Sequence, residues 1–209
     1  MAKINAFENY YKEYDNWFDL HQDLYSLELK VISQFIPENK NGVEIGVGTG
    51  RFAVPLKIQI GVEPSQKMAE QAKKQGIEIY SGTAESLPFL DNTFDLALMV
   101  TTVCFVDDVL KSFREVNRVL KTGGIFVIGF VDKESSLGKK YQIKKGESKF
   151  YKDAVFYTTD EILAFLNETN FCNFNIKQAL FTDNGVINKT KIEEGYGQGS
   201  FIAIQAFKK

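Results

Sequence analysis

The stretch Glu44-Ile45-Gly46-Val47-Gly48-Thr49-Gly50 sets three glycines at alternate positions behind an acid and a short apolar run. Glycine has no Cβ, so such a turn brings backbone N–H and C=O groups close to a ligand. A second acid, Glu63, follows nineteen positions after Glu44, at the end of the next apolar run. A carboxylate there can accept hydrogen bonds from a ribose diol. The spacing is G-x-G-x-G, whereas the dinucleotide fingerprint G-x-G-x-x-G would need a third glycine where this chain has Arg51. Glu44 would repel a phosphate and suits a cationic ammonium or its water shell. These residues describe a site for a nucleoside-like ligand that carries positive charge. The bland readings stand beside it: tight βα turns use glycine without binding anything, and Glu63 alone reads as an acid opening the helix of Pro64-Ser65-Gln66-Lys67-Met68.

The elements around this turn alternate. Strands are expected at 43–47, 58–62, 77–80, 94–100 and 124–131, a short helix from near Arg51, and helices at 65–75 and 107–120. Alternation of this kind implies an α/β fold with a parallel sheet covered by helices on both faces. Ahead of it, aromatic and aliphatic residues at helical spacing through 7–36 predict two helices. Residues 132–157 are polar, Lys-rich and punctuated by aromatics, too long for a simple turn, and read as a lid. Thr158 or Thr159 caps a helix over 160–169, with Glu161 in its first turn. Strands near 173–181 and 200–207 close the sheet, and the glycines between them (Gly185, Gly195, Gly197, Gly199) read as a flexible crossing loop. The expected organisation is one domain over 1–209: a helical cap (1–40), a binding core (41–131), a lid-like insert (132–157) and a C-terminal helix with a strand pair (158–209).

Composition narrows the function. The 209 residues are 44% hydrophobic and 25% charged, with a net charge of −2 and interspersed signs, so no basic stripe points to nucleic acid. There is no signal-peptide pattern at the start and no run near the ~20 apolar residues of a membrane helix, so a cytoplasmic location is expected. Cys104 and Cys172 are isolated and His21 is the sole histidine, which predicts neither a disulfide framework nor a metal site.

Four stretches in order resemble the class I S-adenosylmethionine-dependent methyltransferases, in particular the small bacterial type similar to the ubiquinone/menaquinone-biosynthesis enzymes. They are Val43 to Gly50, Gly61-Val62-Glu63-Pro64-Ser65, Gly82-Thr83-Ala84-Glu85-Ser86-Leu87-Pro88-Phe89 with Phe94-Asp95, and Arg118-Val119-Leu120-Lys121-Thr122-Gly123-Gly124. The resemblance implies a Rossmann-like, seven-stranded, mostly parallel sheet with an antiparallel last strand and an N-terminal helical cap. It implies S-adenosylmethionine as cofactor and S-adenosylhomocysteine as product. Gly46, Val47 and Gly48 would line the methionine and ribose, and Glu44 would serve the ammonium. Glu63 would hold the ribose hydroxyls, Pro64 and Met68 would flank the adenine, and Thr83, Ala84 and Glu85 would meet its edge. Tyr14 would reach the methionine carboxylate, and Val100 and Phe105 would complete the lining. Three departures stand out: Thr83 replaces a usual aspartate, Cys104-Phe105 replaces a frequent histidine pair, and Thr122 replaces a proline.

A sulfonium methyl is already activated, so the protein must mainly align an acceptor and exclude water. Candidate bases are His21, Asp107, Tyr141 and Tyr151, and none is singled out. The aromatics of 7–36 and 132–157 favour a small organic acceptor. A nicotinamide- or flavin-binding oxidoreductase and a non-catalytic cofactor-binding module remain the competing readings. The oligomeric state is not readable from the sequence.

Overall fold

Apolar side chains run almost without break through 94–100 and 125–130, and both runs are buried on both faces, as parallel strands covered by helices must be. The computed structural model describes residues 4–183 and 185–209. Its central strands are β1 (Gly42–Ile45), β2 (Ile60–Val62), β3 (Glu78–Tyr80), β4 (Phe94–Val100) and β5 (Leu120–Val131), all parallel to one another. β6 (Phe171–Asp183), β7 (Val186–Ile187), β8 (Ile192–Glu194) and β9 (Gly199–Lys208) follow. The sheet order is β3-β2-β1-β4-β5-β9-β6-β7, with β8 also on β6. β9 lies antiparallel between β5 and β6, from Ile125↔Phe207 to Val131↔Phe201 on one side.

Among the described residues the sheet therefore has nine strands rather than the expected seven. β7 and β8 lie in the stretch read as a crossing loop. They are two and three residues long and are held by backbone pairing to β6, as in Gln178↔Glu193. Such short strands carry too little side-chain pattern to register against the surrounding glycines.

Helices α1 (Asn5–Leu20), α2 (Gln22–Ser33) and α3 (Gln66–Lys74) pack on one face through Phe18, Leu27, Val31, Ile32 and Ala72. α4 (Val109–Val119) and α6 (Thr159–Glu168) cover the other through Phe113, Val116, Ile162 and Leu166. Local chemistry sets their starts. Ser65 accepts from Met68 N, Asp108 from Lys111 N, and Thr158 and Glu161 form a reciprocal capping box.

The short helix expected from Arg51 is not formed; 51–57 is a run of turns. Pro55 has no N–H for the Arg51 carbonyl, and Lys57 sits at φ +58. The Tyr25 hydroxyl of α2 donates to that Arg51 carbonyl instead. The 132–157 segment folds into α5 (Ser136–Ile143) and two single 3-10 turns. Its two ends are tied together by Asp132, whose Oδ2 accepts from Thr159 N and Oγ1 at 2.7 Å.

Candidate functional site

Where β1 ends, the chain reverses through Gly46 (φ +70) and Gly48 (φ +57). The N–H groups of Gly46 and Val47 both donate to the Val62 carbonyl, at 2.8 and 3.1 Å, stitching the turn to the end of β2. One residue further, Glu63 receives Gly48 N on Oε2 and Ser65 N on Oε1, each at 2.9 Å. A single carboxylate thus bridges the glycine turn and the start of α3. It is 7% exposed, and burial pushes its carboxyl up to about 7 against the lowering effect of the two N–H donors. Each oxygen keeps capacity for a further donor.

α1 closes the cleft from above. It kinks at Tyr10 (φ −123, ψ 27), so its first turns cross the opening, with Ile4 and Phe7 in the wall. Glu8 anchors those turns by accepting from Ser65 Oγ (2.7 Å) and Lys67 N (3.2 Å), and the Ser65 hydroxyl holds the Glu8 carboxyl below its ordinary value. Arg51 anchors the rest of the helix. Its Nε and Nη2 donate to the two Asp15 oxygens at 2.7 Å, and Nη1 to Asp19 at 2.9 Å, while Thr49 Oγ1 also donates to Asp15. Isolated exposed pairs contribute little, but this two-point fork is part-buried and networked. Arg51→Ala is expected to free α1, raising amide exchange over 5–20 by about tenfold, the equivalent of roughly 1–2 kcal/mol, with β4 and β5 unaffected. Unchanged exchange over α1 would show that its aromatic packing suffices.

Ten of the predicted site residues line this cleft. Gly46, Gly48 and Glu63 form its floor, with Pro64, Met68 and Tyr14 around it. Thr83, Ala84 and Glu85 make the far edge, and Phe105 the side toward β4. Glu85 is already engaged, Oε1 accepting from Asp107 N at 2.7 Å. Three predicted residues do not line it. The Val47 side chain packs into the core over Gly61, and Val100 packs into the same core beside Gly129. Glu44 lies beneath the floor, 2% exposed, with its carboxyl held well above the ordinary value by burial and with Oε2 lacking a hydrogen-bond partner. Sequence reasoning missed Thr101 and Thr102. Thr101 is a β-branched residue at φ +51, a costly conformation that recurs at functional positions. Thr102 Oγ1 donates to the carbonyls of Val100 (3.0 Å) and Gly46 (3.3 Å).

A second cavity of about 500 Å³ opens beside the cleft and shares Phe7, Tyr14, Thr101 and Phe105 with it. Trp17, Tyr141, Phe150 and Tyr151 bring α1 and the 132–157 segment together around it, and Glu28 of α2 also faces it. Of the candidate bases, Tyr141 and Tyr151 line this cavity, and burial raises both phenols, Tyr141 to about 12. His21 is exposed and stacks on Trp17 at 4.7 Å, outside both cavities.

This geometry has known counterparts. A profile described as a methyltransferase domain matches residues 43–128. A crystal structure from Thermotoga maritima, named as a "SAM-dependent methyltransferase, possible histamine N-methyltransferase", superposes with a TM-score of 0.93 at 47% identity, covering 99% of this chain and 100% of that one. The chain belongs to the class I S-adenosylmethionine-dependent methyltransferases. An uncharacterised protein of Methanocaldococcus jannaschii is 44% identical over 98% of this chain and its own full length. The ubiquinone/menaquinone biosynthesis C-methyltransferase of Rickettsia typhi is 29% identical over 70% of this chain and 67% of that protein.

The methyltransferase cleft fits S-adenosylmethionine. A Cβ on Gly48 would occupy the gap between Met68 Cε (3.6 Å) and Tyr14 Cε1 (3.8 Å), so the glycine keeps that space open. Glu63 has acceptor capacity left for hydroxyl donors.

Proposed function

We propose that this chain transfers a methyl group from S-adenosylmethionine to a small organic acceptor held in the aromatic cavity, in the cytoplasm, with 1–209 acting as one domain under its helical cap and lid-like insert. The observation that carries the reading is the cavity itself, which meets the cofactor cleft at Phe7, Tyr14, Thr101 and Phe105. The cofactor supplies a sulfonium methyl: the acceptor's lone pair bonds to that carbon while the methyl–sulfur pair stays on sulfur, giving S-adenosylhomocysteine.

The chain's own work is binding, alignment and exclusion of water. Gly46 and Gly48 give close backbone approach, Glu63 accepts from ribose hydroxyls, Met68 and Pro64 flank the base, and Thr83, Ala84 and Glu85 meet its edge. Tyr14 and Phe105 stand between cofactor and acceptor, where alignment in a dry site contributes roughly 7–11 kcal/mol. Glu44 lies outside the cleft and is assigned no contact with the cofactor. No side chain is assigned as a general base.

Calorimetric titration with S-adenosylhomocysteine and with NAD tests the first half. Micromolar binding of the former alone supports the reading, and binding of NAD alone overturns it. Methyl transfer to a panel of small amines, phenols and acids tests the second, with histamine included because of the Thermotoga relative's name. Consistent failure of that panel against turnover on protein or RNA extracts would reverse the acceptor class.

Glu63→Ala is expected to weaken S-adenosylhomocysteine binding by about 1.5–3 kcal/mol, the range for a hydrogen bond to a charged group. In the wild type, affinity should rise as pH climbs from 6 to 8, because hydroxyl donors stabilise the ionised carboxylate, whose proton burial retains up to about 7. Glu63→Gln should flatten that profile. A wild-type affinity independent of pH would remove Glu63 from the ribose site.

A further inference from the structure

Glu28 is a buried acid that cofactor binding does not explain. Glu28 stands on the core-facing stripe of α2, beside Leu27 and one turn before Val31 and Ile32, a position where the helix needs an apolar residue. It is 6% exposed and has no hydrogen bond or ion pair among the described residues. A buried carboxyl without a partner is costly, and a purely structural α2 would carry leucine there. The side chain faces the aromatic cavity, which is roomy enough for a ligand, among the rings of Tyr14, Trp17, Tyr141 and Tyr151.

An acid that shares a cavity with aromatic rings complements one ligand chemistry. Cations are attracted by the quadrupoles of aromatic faces and by the carboxylate, whereas an anionic acceptor would be repelled and a neutral one would leave Glu28 uncompensated. The cavity's other charged groups are the exposed Glu13 of α1, Lys144 just after α5, and Glu147 in the turn that follows. Lys149 already pairs with Glu13 at 2.7 Å.

We propose that Glu28 binds a positively charged nitrogen of the methyl acceptor, distinct from the atom whose lone pair takes the methyl, which makes the acceptor class small basic amines with a flat or apolar body and a second, uncharged nucleophilic atom. The inference rests on the methyltransferase reading and sharpens its acceptor. Burial alone raises the Glu28 carboxyl to about 8, so the empty site holds a proton at neutral pH. When an ammonium ion enters, that proton passes to the buffer and a carboxylate–ammonium pair remains.

The test uses full-length protein saturated with S-adenosylhomocysteine. It is titrated calorimetrically with histamine, 2-phenylethylamine and 1,5-diaminopentane, and with 2-phenylethanol and 3-phenylpropionate as neutral and anionic isosteres. At least one amine should bind tenfold or more tightly than the isosteres. Titration at pH 7 in buffers of different ionisation enthalpy should show proton release on binding. Glu28→Gln should erase both the preference and the release while keeping S-adenosylhomocysteine affinity, and Glu28→Asp should retain part of the preference and so decide the matter if the amide variant fails to fold. Equal binding of isosteres and amines, tighter binding of the acid, or a preference unchanged in Glu28→Gln overturns the proposal, as does an absence of amine binding by protein that binds S-adenosylhomocysteine. Failure to bind S-adenosylhomocysteine at all overturns the methyltransferase reading itself, and the two failures are thereby distinct.

Discussion

Gly46→Ala is expected to lower S-adenosylhomocysteine affinity at least about a hundredfold, an effect of roughly 3 kcal/mol, while leaving a folded α/β protein. Two effects combine. At φ +70 an alanine pays about 1–2 kcal/mol for a left-handed backbone. Its Cβ would also lie 2.4 Å from Thr102 Cγ2 and 2.5 Å from Thr102 Oγ1, so Thr102 must move. Thr102 cannot move cheaply, because its hydroxyl ties the ends of β1 and β4 together through the carbonyls of Gly46 and Val100. The turn that carries Gly48, and through it Glu63, shifts in response. Gly76→Ala separates the two effects: Gly76 is at φ +88 with nothing near its absent Cβ, so it pays the backbone cost alone and should leave binding intact. Calorimetry on both variants, with circular dichroism as the folding control, checks this. Equal binding by wild type and Gly46→Ala would mean that the turn relaxes without consequence for the cleft.

The parts of this site that were legible in the sequence are those whose chemistry is local. The glycine turn with Glu63 nineteen positions on, the alternation of strand and helix patterns, and a helix start capped by Thr158 or Thr159 each declare themselves over short spans of sequence; the structure gives the cap to Thr158. What escaped depends on distant partners. Arg51 registers in the sequence only as an absent third glycine. Its role comes from Asp15 and Asp19, an i,i+4 pair of acids on one face of a helix more than thirty positions earlier. The run of turns after Arg51 was foreshadowed by Pro55, which denies a helix its hydrogen bond at that point. β7 and β8 exist through backbone pairing to β6 and leave almost no side-chain trace. Val47 and Val100 belong to the family's pattern by position, yet both side chains pack into the core, Val47 from the glycine turn against Gly61 and Val100 from the end of β4 beside Gly129. Glu28 had a faint signal, an acid four residues after Leu24 and four before Ile32 on an apolar face. A lone acid in a helix ordinarily reads as solvent-facing, and only the packed cavity distinguishes the two.

Glu28 should also govern how the ligand-free protein responds to pH. Its carboxyl titrates near 4.5 in an unfolded chain and is raised to about 8 by burial in the native state. Below about 4.5 the group is protonated in both states and costs nothing. Between 4.5 and 8 the unfolded chain has released a proton that the native state retains, so unfolding gains free energy from each unit of rising pH. The contribution reaches about 4–5 kcal/mol near pH 8 and levels off above it. Glu44 and Glu63 add penalties of the same sign, since burial raises both. Glu28→Gln removes only the first of these, so the difference between variant and wild type isolates it. The two should melt at similar temperatures at pH 5, and the variant should melt about 8–20 °C higher at pH 8, using the usual conversion for a chain of this size. Thermal denaturation across pH 5 to 9 measures this directly. A melting difference that does not grow with pH would mean that water or a moving side chain already satisfies Glu28 in the folded protein, and the cavity would then lack the buried charge that selects a cation.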